Sequence, residues 1–238
     1  MSGESWLAAG GVFETLRTYE NRPFGLELHL ARLQLGISEL GISNFDRQQL
    51  TEQLTEELMK SPFESGHLRI VVDRDGGIEI LHKRYQPPQE ALRCLTIRSD
   101  LGQGLQFKST EYRERFGLRE RAIACGVDDA LLFNREAELV EATTCNLIIL
   151  TNDGWLTPAL SSGCLPGITR KLLIENFGVR EQRIELVALA EAKAAAVISS
   201  LREIQGITEI DGKVLPNSRE VEVLKTQFHS WVLGNLAL

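Results

Sequence analysis

The chain has 238 residues, 43% of them hydrophobic and 25% charged, and its 26 basic and 33 acidic side chains leave a net charge of −7. It can bury a substantial core, as one large domain or two smaller ones. It carries no basic run suited to nucleic acid or anionic lipid and no apolar run approaching a membrane span, so a soluble, cytoplasmic protein acting on a small molecule is expected.

In chain order, Val12 to Thr18 has strand composition. Leu30, Leu33, Ile37 and Leu40 fall on one helical face, and Leu50, Leu54 and Leu58 form a second stripe after Asp46, a capping candidate. His67 to Asp73 and Ile78–His82 read as strands joined by the turn Asp75-Gly76-Gly77. Gln86-Pro87-Pro88-Gln89 interrupts the pattern. Asp100-Leu101-Gly102-Gln103-Gly104 does so again after the strand-like Leu92–Ser99. These breaks predict a smaller N-terminal α/β domain over residues 1–100 and a larger C-terminal domain over 101–238.

Downstream, Ser109 is a candidate cap for a helix to about Cys125, followed by strands Asp129–Phe133, Leu139–Val140 and Asn146–Thr151 and the turn Asn152-Asp153-Gly154. A helix is expected from Gly167 to Phe177, stopping at Gly178. A strand near Arg183–Val187, an alanine-rich helix Leu189–Ala195 and a short strand Val197–Ser200 come next. A hairpin around Asp211-Gly212 and a closing helix from about Ser218 to Leu233 complete an α/β fold made of two unlike α+β halves. Cys94, Cys125, Cys145 and Cys164 are scattered, with no Cys-x-x-Cys and no histidine spaced for zinc, so they read as reduced thiols and no metal is expected.

The most informative stretch is Leu165-Pro166-Gly167-Ile168-Thr169-Arg170. Proline at a helix start loses nothing by its missing N–H. Gly167 lets the backbone come close to a ligand, and the free amides around Ile168 and Thr169 at the positive end of the helix dipole favour a phosphate. The chain has no Gly-x-Gly-x-x-Gly after a strand and no Gly-x-x-x-x-Gly-Lys-Ser/Thr, which removes the best support for a nucleotide. Pyridoxal phosphate remains a good candidate. It needs a phosphate anchor, a lysine for the Schiff base and an acid that keeps the pyridine nitrogen protonated. Lys108, at the end of an extended stretch, and Glu141, where a strand meets Ala142-Thr143-Thr144, have the residue types for the last two roles.

Five ordered motifs carry a resemblance over nearly the whole chain. Gly11-Val12-Phe13-Glu14-Thr15-Leu16-Arg17, His29-Leu30-Ala31-Arg32-Leu33, Lys108-Ser109-Thr110-Glu111-Tyr112, Glu141-Ala142-Thr143-Thr144-Cys145-Asn146-Leu147 and the Leu165–Arg170 helix start resemble those of the class IV, or fold type IV, pyridoxal-phosphate enzymes. These are the branched-chain aminotransferases, D-amino-acid aminotransferases and 4-amino-4-deoxychorismate lyases. Lys108 and Glu141 stand 33 positions apart, close to the family's usual spacing. The resemblance implies a two-domain homodimer with the cofactor in the cleft between domains. It makes Lys108 the Schiff-base and proton-moving lysine and Arg32 the phosphate fork. It also implies amide contacts from Ile168 and Thr169, a hydroxyl from Ser200, and Glu141 at the ring nitrogen. Loops near Gln86–Gln89 or Asp100–Gly104 of a neighbouring subunit would close the substrate side.

Two features lean towards the lyase, which forms 4-aminobenzoate and pyruvate. Thr15 stands where branched-chain aminotransferases usually carry glycine, and Ser200-Leu201-Arg202-Glu203-Ile204 looks like the lyases' Ser-Leu-Arg-x-Ile. Thr15 then orients a substrate carboxylate or relays a proton, and Arg69 and Arg74 are the substrate-carboxylate candidates. The alternatives are a class IV aminotransferase for branched-chain or D-amino acids, and a weakly catalytic or structural paralogue.

Overall fold

The computed structural model describes residues 5–60, 62–99, 106–216 and 218–236, which leaves the segment Asp100–Gly104 outside the described residues. The chain divides into two compact units, one of Met1–Pro87 with Gln106–Tyr112 and Val232–Leu238, the other of Pro88–Leu105 with Arg113–Trp231.

In the first unit, β1 (Val12–Tyr19), β2 (Arg22–Pro23), β3 (Ser65–Val72) and β4 (Ile78–Arg84) form an antiparallel sheet in the order β2-β1-β3-β4. Strand alternation puts Val12, Glu14, Leu16 and Thr18 on one face and Phe13, Thr15, Arg17 and Tyr19 on the other. Two helices, α1 (Leu26–Glu39) and α2 (Arg47–Lys60), cover the first of these faces. Their Leu33, Ile37, Leu50 and Leu54 join Val12, Leu16, Leu68, Ile70, Val72 and Phe107 in one core. Each such side chain contributes roughly 1.5–3 kcal/mol when fully buried. The close approach of α1 depends on Gly36, where a Cβ would stand 2.7 Å from Val12 Cγ1 and 2.9 Å from a Phe107 ring carbon. Asp46 caps α2 as expected, accepting the amides of Gln48 at 2.8 Å and Gln49 at 3.2 Å. The β3–β4 turn is tied by Asp73, whose carboxylate accepts the amides of Asp75 and Gly77 at 2.9 and 2.8 Å.

The second unit is built on a nine-stranded mixed sheet. Its strands are β5 (Leu92–Arg98), β6 (Asp129–Phe133), β7 (Leu139–Ala142), β8 (Asn146–Thr151), β9 (Gly154–Pro158), β10 (Arg180–Gln182), β11 (Ala194–Ser199), β12 (Glu203–Ile210) and β13 (Lys213–Val214). Their order is β10-β9-β8-β11-β12-β5-β6-β7, with β13 on β12. The helices of this part of the chain are α3 (Arg113–Ala124), α4 (Ile168–Asn176), α5 (Leu186–Ala190) and α6 (Ser218–Gly234). Phe228 and Trp231 of α6 meet the Phe177 ring edge-on at 5.5 and 5.9 Å between centroids.

Three expectations are corrected. The strand near Arg183–Val187 is β10, three residues earlier, and the helix placed at Leu189–Ala195 is the short α5. Ala194, Ala195 and Ala196 belong instead to β11, hydrogen-bonded to β8 on one side and β12 on the other. A central strand buried on both faces accepts small apolar residues, and this tertiary context outweighs alanine's helix propensity. Finally, α3 starts at Arg113, because Ser109 is taken up by an antiparallel bridge to Val12.

Candidate active site

In the first unit the segment carrying Lys108 is tied to the start of β1. Phe13 N–H donates to Lys108 O at 2.9 Å, Thr110 N–H to Gly11 O at 2.9 Å, and Gly11 N–H to Thr110 Oγ1 at 3.0 Å. Lys108 Nζ lies 4.4 Å from the centroid of Phe13 and 5.7 Å from that of Tyr112, two rings packed edge-to-face. This places the ammonium beside Phe13, on the sheet face that the helices leave uncovered, and near enough to the strand's start for its charge to act on buried His29 beyond it as well. Along that face Thr15 stands opposite Arg69, and Arg17 opposite His67. Arg17 donates through Nε to Ser65 Oγ at 3.0 Å and stacks over Tyr19 and Tyr85. Arg69 is half-buried. His67 is buried and its Nε2 has no partner. Burial, then the charges of Arg69, Lys83 and Lys108, hold it at about 3, so the ring is neutral. Arg74 is exposed in the Asp73–Gly77 turn, beside Gly10 and with its amide on Ala9 O at 3.2 Å.

The opposite face of β1 holds a cluster whose roles sequence reading missed. Arg32 forks onto Glu14, Nε to Oε1 at 2.7 Å and Nη2 to Oε2 at 2.8 Å, while His29 Nδ1 donates to Oε2 at 2.7 Å. His29 and Arg32 are three residues apart on α1 and share a helix face, so one strand carboxylate binds both. Desolvation alone would raise the fully buried Glu14 carboxyl. Arg32 and then His29 outweigh it and hold the group far below the usual carboxylate range. Burial keeps His29 below its ordinary value despite Glu14, so it donates as a neutral ring. The available signal was an acid in the strand motif followed by His-x-x-Arg on the next helix.

In the second unit Glu141, 3% exposed, is the next-to-last residue of β7 and sits among fixed partners. Its Oε2 accepts Asn146 Nδ2 at 3.0 Å and the Leu165 amide at 3.2 Å. Arg115 Nη2 stands 2.7 Å from Oε1, an ion pair without hydrogen-bond alignment, and Oε1 has no hydrogen-bond partner. The buried carboxylate therefore retains an acceptor for a further N–H.

From Leu165 the chain enters α4, with Ile168 and Thr169 buried in its first turn and no side chain capping its start. Gly167 sits at ordinary φ −71°. What a side chain there would meet is Asn146, with Oδ1 1.8 Å from a built Cβ, so the glycine makes room for the amide that holds Glu141. The sequence reading had it making room for a ligand. Ser200 is half-buried in the β11–β12 turn, where the Ser199 hydroxyl accepts the Arg202 amide at 3.1 Å. All four cysteines are free, and burial pushes the Cys164 thiol up to about 12.

Residues 11–210 match the class IV amino-transferase family. The chain belongs to that family. Class IV aminotransferases are pyridoxal-phosphate enzymes of fold type IV, and this chain has their mixed α/β architecture. An aminodeoxychorismate lyase from Bacillus subtilis is 26% identical over 227 residues, covering 84% of this chain and 78% of the relative. A Methanocaldococcus jannaschii protein provisionally named a branched-chain-amino-acid aminotransferase is 27% identical over 246 residues, covering 92% and 85%. Among solved structures, a Legionella pneumophila protein provisionally named a 4-amino-4-deoxychorismate lyase superposes with TM-score 0.80 at 26% identity, covering 93% of this chain and 91% of that one.

Each taken by itself, Lys108 held at its main chain, the uncapped start of α4, and buried Glu141 with an open acceptor have the chemistry that a pyridoxal-phosphate cofactor requires. Among the described residues, no His, Cys, Asp and Glu cluster is placed to hold a metal, and no helix is long and apolar enough to cross a membrane.

Proposed function

We propose that this class IV enzyme is a lyase converting 4-amino-4-deoxychorismate to 4-aminobenzoate and pyruvate, acting as a cytoplasmic homodimer. The cofactor is held by Lys108, by the Arg32 guanidinium, by the amides of Ile168 and Thr169, by the Ser200 hydroxyl and by Glu141. Bound there, it supplies an electron sink for the pair left when a substrate C–H bond breaks. Glu14 supports the phosphate role by fixing Arg32 in one orientation. Glu141 offers Oε1 to the protonated ring nitrogen. The Lys108 amine would move the proton at the reacting carbon. Thr15 and Arg69 orient a substrate carboxylate, with Arg74 as a further carboxylate contact.

The observation that carries the lyase reading is the cross-strand pair Thr15 and Arg69 on the face that carries Lys108. A hydroxyl beside a guanidinium suits a carboxylate-bearing substrate. The archaeal relative's name favours a second reading, transamination of branched-chain amino acids. The test is to supply aminodeoxychorismate without any keto-acid acceptor. Release of 4-aminobenzoate and pyruvate is the expected result, and turnover only when an acceptor is added decides for transamination.

A further inference from the structure

Arg115 is 8% exposed in the first turn of α3, where most neighbouring side chains face water. Burying a guanidinium is costly, and a Leu or Met of similar volume would fill such a position without that cost. Both ends of this guanidinium are directed. Nη2 stands 2.7 Å from Glu141 Oε1, and Nη1 donates to Thr143 O at 3.2 Å. Thr143 is anchored in turn by its hydroxyl, which donates to the buried Asp129 at 2.5 Å.

We propose that Arg115 is a positioning residue that keeps the shared proton on the cofactor's ring nitrogen rather than on Glu141. The inference rests on the reading that Glu141 faces that nitrogen. A ring nitrogen bound at Oε1 would share one proton with it, as carboxylate with pyridinium or as carboxylic acid with neutral pyridine. Coulomb energy falls as 1/r, and the guanidinium is in contact with the carboxylate oxygen, whereas a ring nitrogen bound to that oxygen would be farther from the cation. The cation therefore gains more from the carboxylate than it loses to the pyridinium, and the proton stays on nitrogen. Asn146 and Leu165 orient Oε2 but bring no charge.

The test uses holoenzyme loaded with ring-15N pyridoxal phosphate, together with melting of the apoprotein. At one pH, Arg115→Gln should move the 15N resonance towards that of unprotonated pyridine, with Arg115→Lys remaining near the parent. In the apoprotein, Arg115→Gln and Glu141→Gln should each lower Tm, and the double variant should melt no lower than the worse single. Should Arg115→Gln not fold, Arg115→Met carries the same measurements. A resonance that moves in Glu141→Gln but not in Arg115→Gln overturns the inference and leaves the Glu141 reading intact. A resonance that moves in neither overturns both. Additive Tm losses also overturn the pairing.

Discussion

Arg32 reaches across from α1 to close a two-point fork on Glu14, with contacts of 2.7 and 2.8 Å to its two carboxylate oxygens. Arg32, which we propose for the cofactor phosphate, is thus first a ligand of a strand glutamate, and His29 completes the cluster. Removing one member of a buried pair leaves an uncompensated charge, so Glu14→Gln should cost about 3–5 kcal/mol of stability. Urea unfolding of the apoprotein checks this. A loss under about 1 kcal/mol would show that the cluster is not needed for the fold.

Acid should destabilise the first unit in a defined window. His67 is held at about 3 when folded against 6.5 ordinarily, so between those values the unfolded chain binds a proton that the folded chain does not. Stability is therefore lost as pH falls from about 6.5 towards about 3. Burial of His29 acts in the same direction, and Glu14, held low, adds a loss that begins below its ordinary 4.5. Urea midpoints measured across this range should fall with pH, with a shallower slope in His67→Phe. An unchanged slope would mean that His67 titrates normally.

Gly167→Ala should force Asn146 off Glu141, since the new Cβ would stand 1.8 Å from Asn146 Oδ1. Overpacking of this kind costs about 1–3 kcal/mol. The variant should also bind pyridoxal phosphate more weakly. Adding Asn146→Ala should recover most of the lost stability, and equal stability losses with and without Asn146 would contradict the account.

Most residues of the proposed site could be named from the sequence because its motifs are contiguous. Lys108, Glu141 and the start of α4 each sit inside a short run with a local physical meaning, and Asp46 announced α2. Glu14 was not legible in its role, because its partners lie 15 and 18 residues away and only strand alternation with helix periodicity joins them. Arg115 was hidden for a similar reason. It lies in the first turn of a helix with many charged residues, and the fold alone separates the buried arginine from its exposed neighbours.

The alanine run Ala194–Ala196 misled for an energetic reason, since local propensity favours helix while two neighbouring strands claim the segment. Ala195 is fully buried there. Ala195→Leu, harmless on a surface helix, should cost about 1–3 kcal/mol or more. Thermal melting distinguishes the two settings, and a variant as stable as the parent would contradict the strand assignment.

The most direct measurement is borohydride reduction of the protein after reconstitution with pyridoxal phosphate, followed by peptide mapping. The account predicts a yellow protein whose colour is bleached by reduction, with the reduced pyridoxyl group found on Lys108, and a Lys108→Ala variant that takes up no reducible chromophore. A colourless protein, or a label fixed on another lysine, would contradict it.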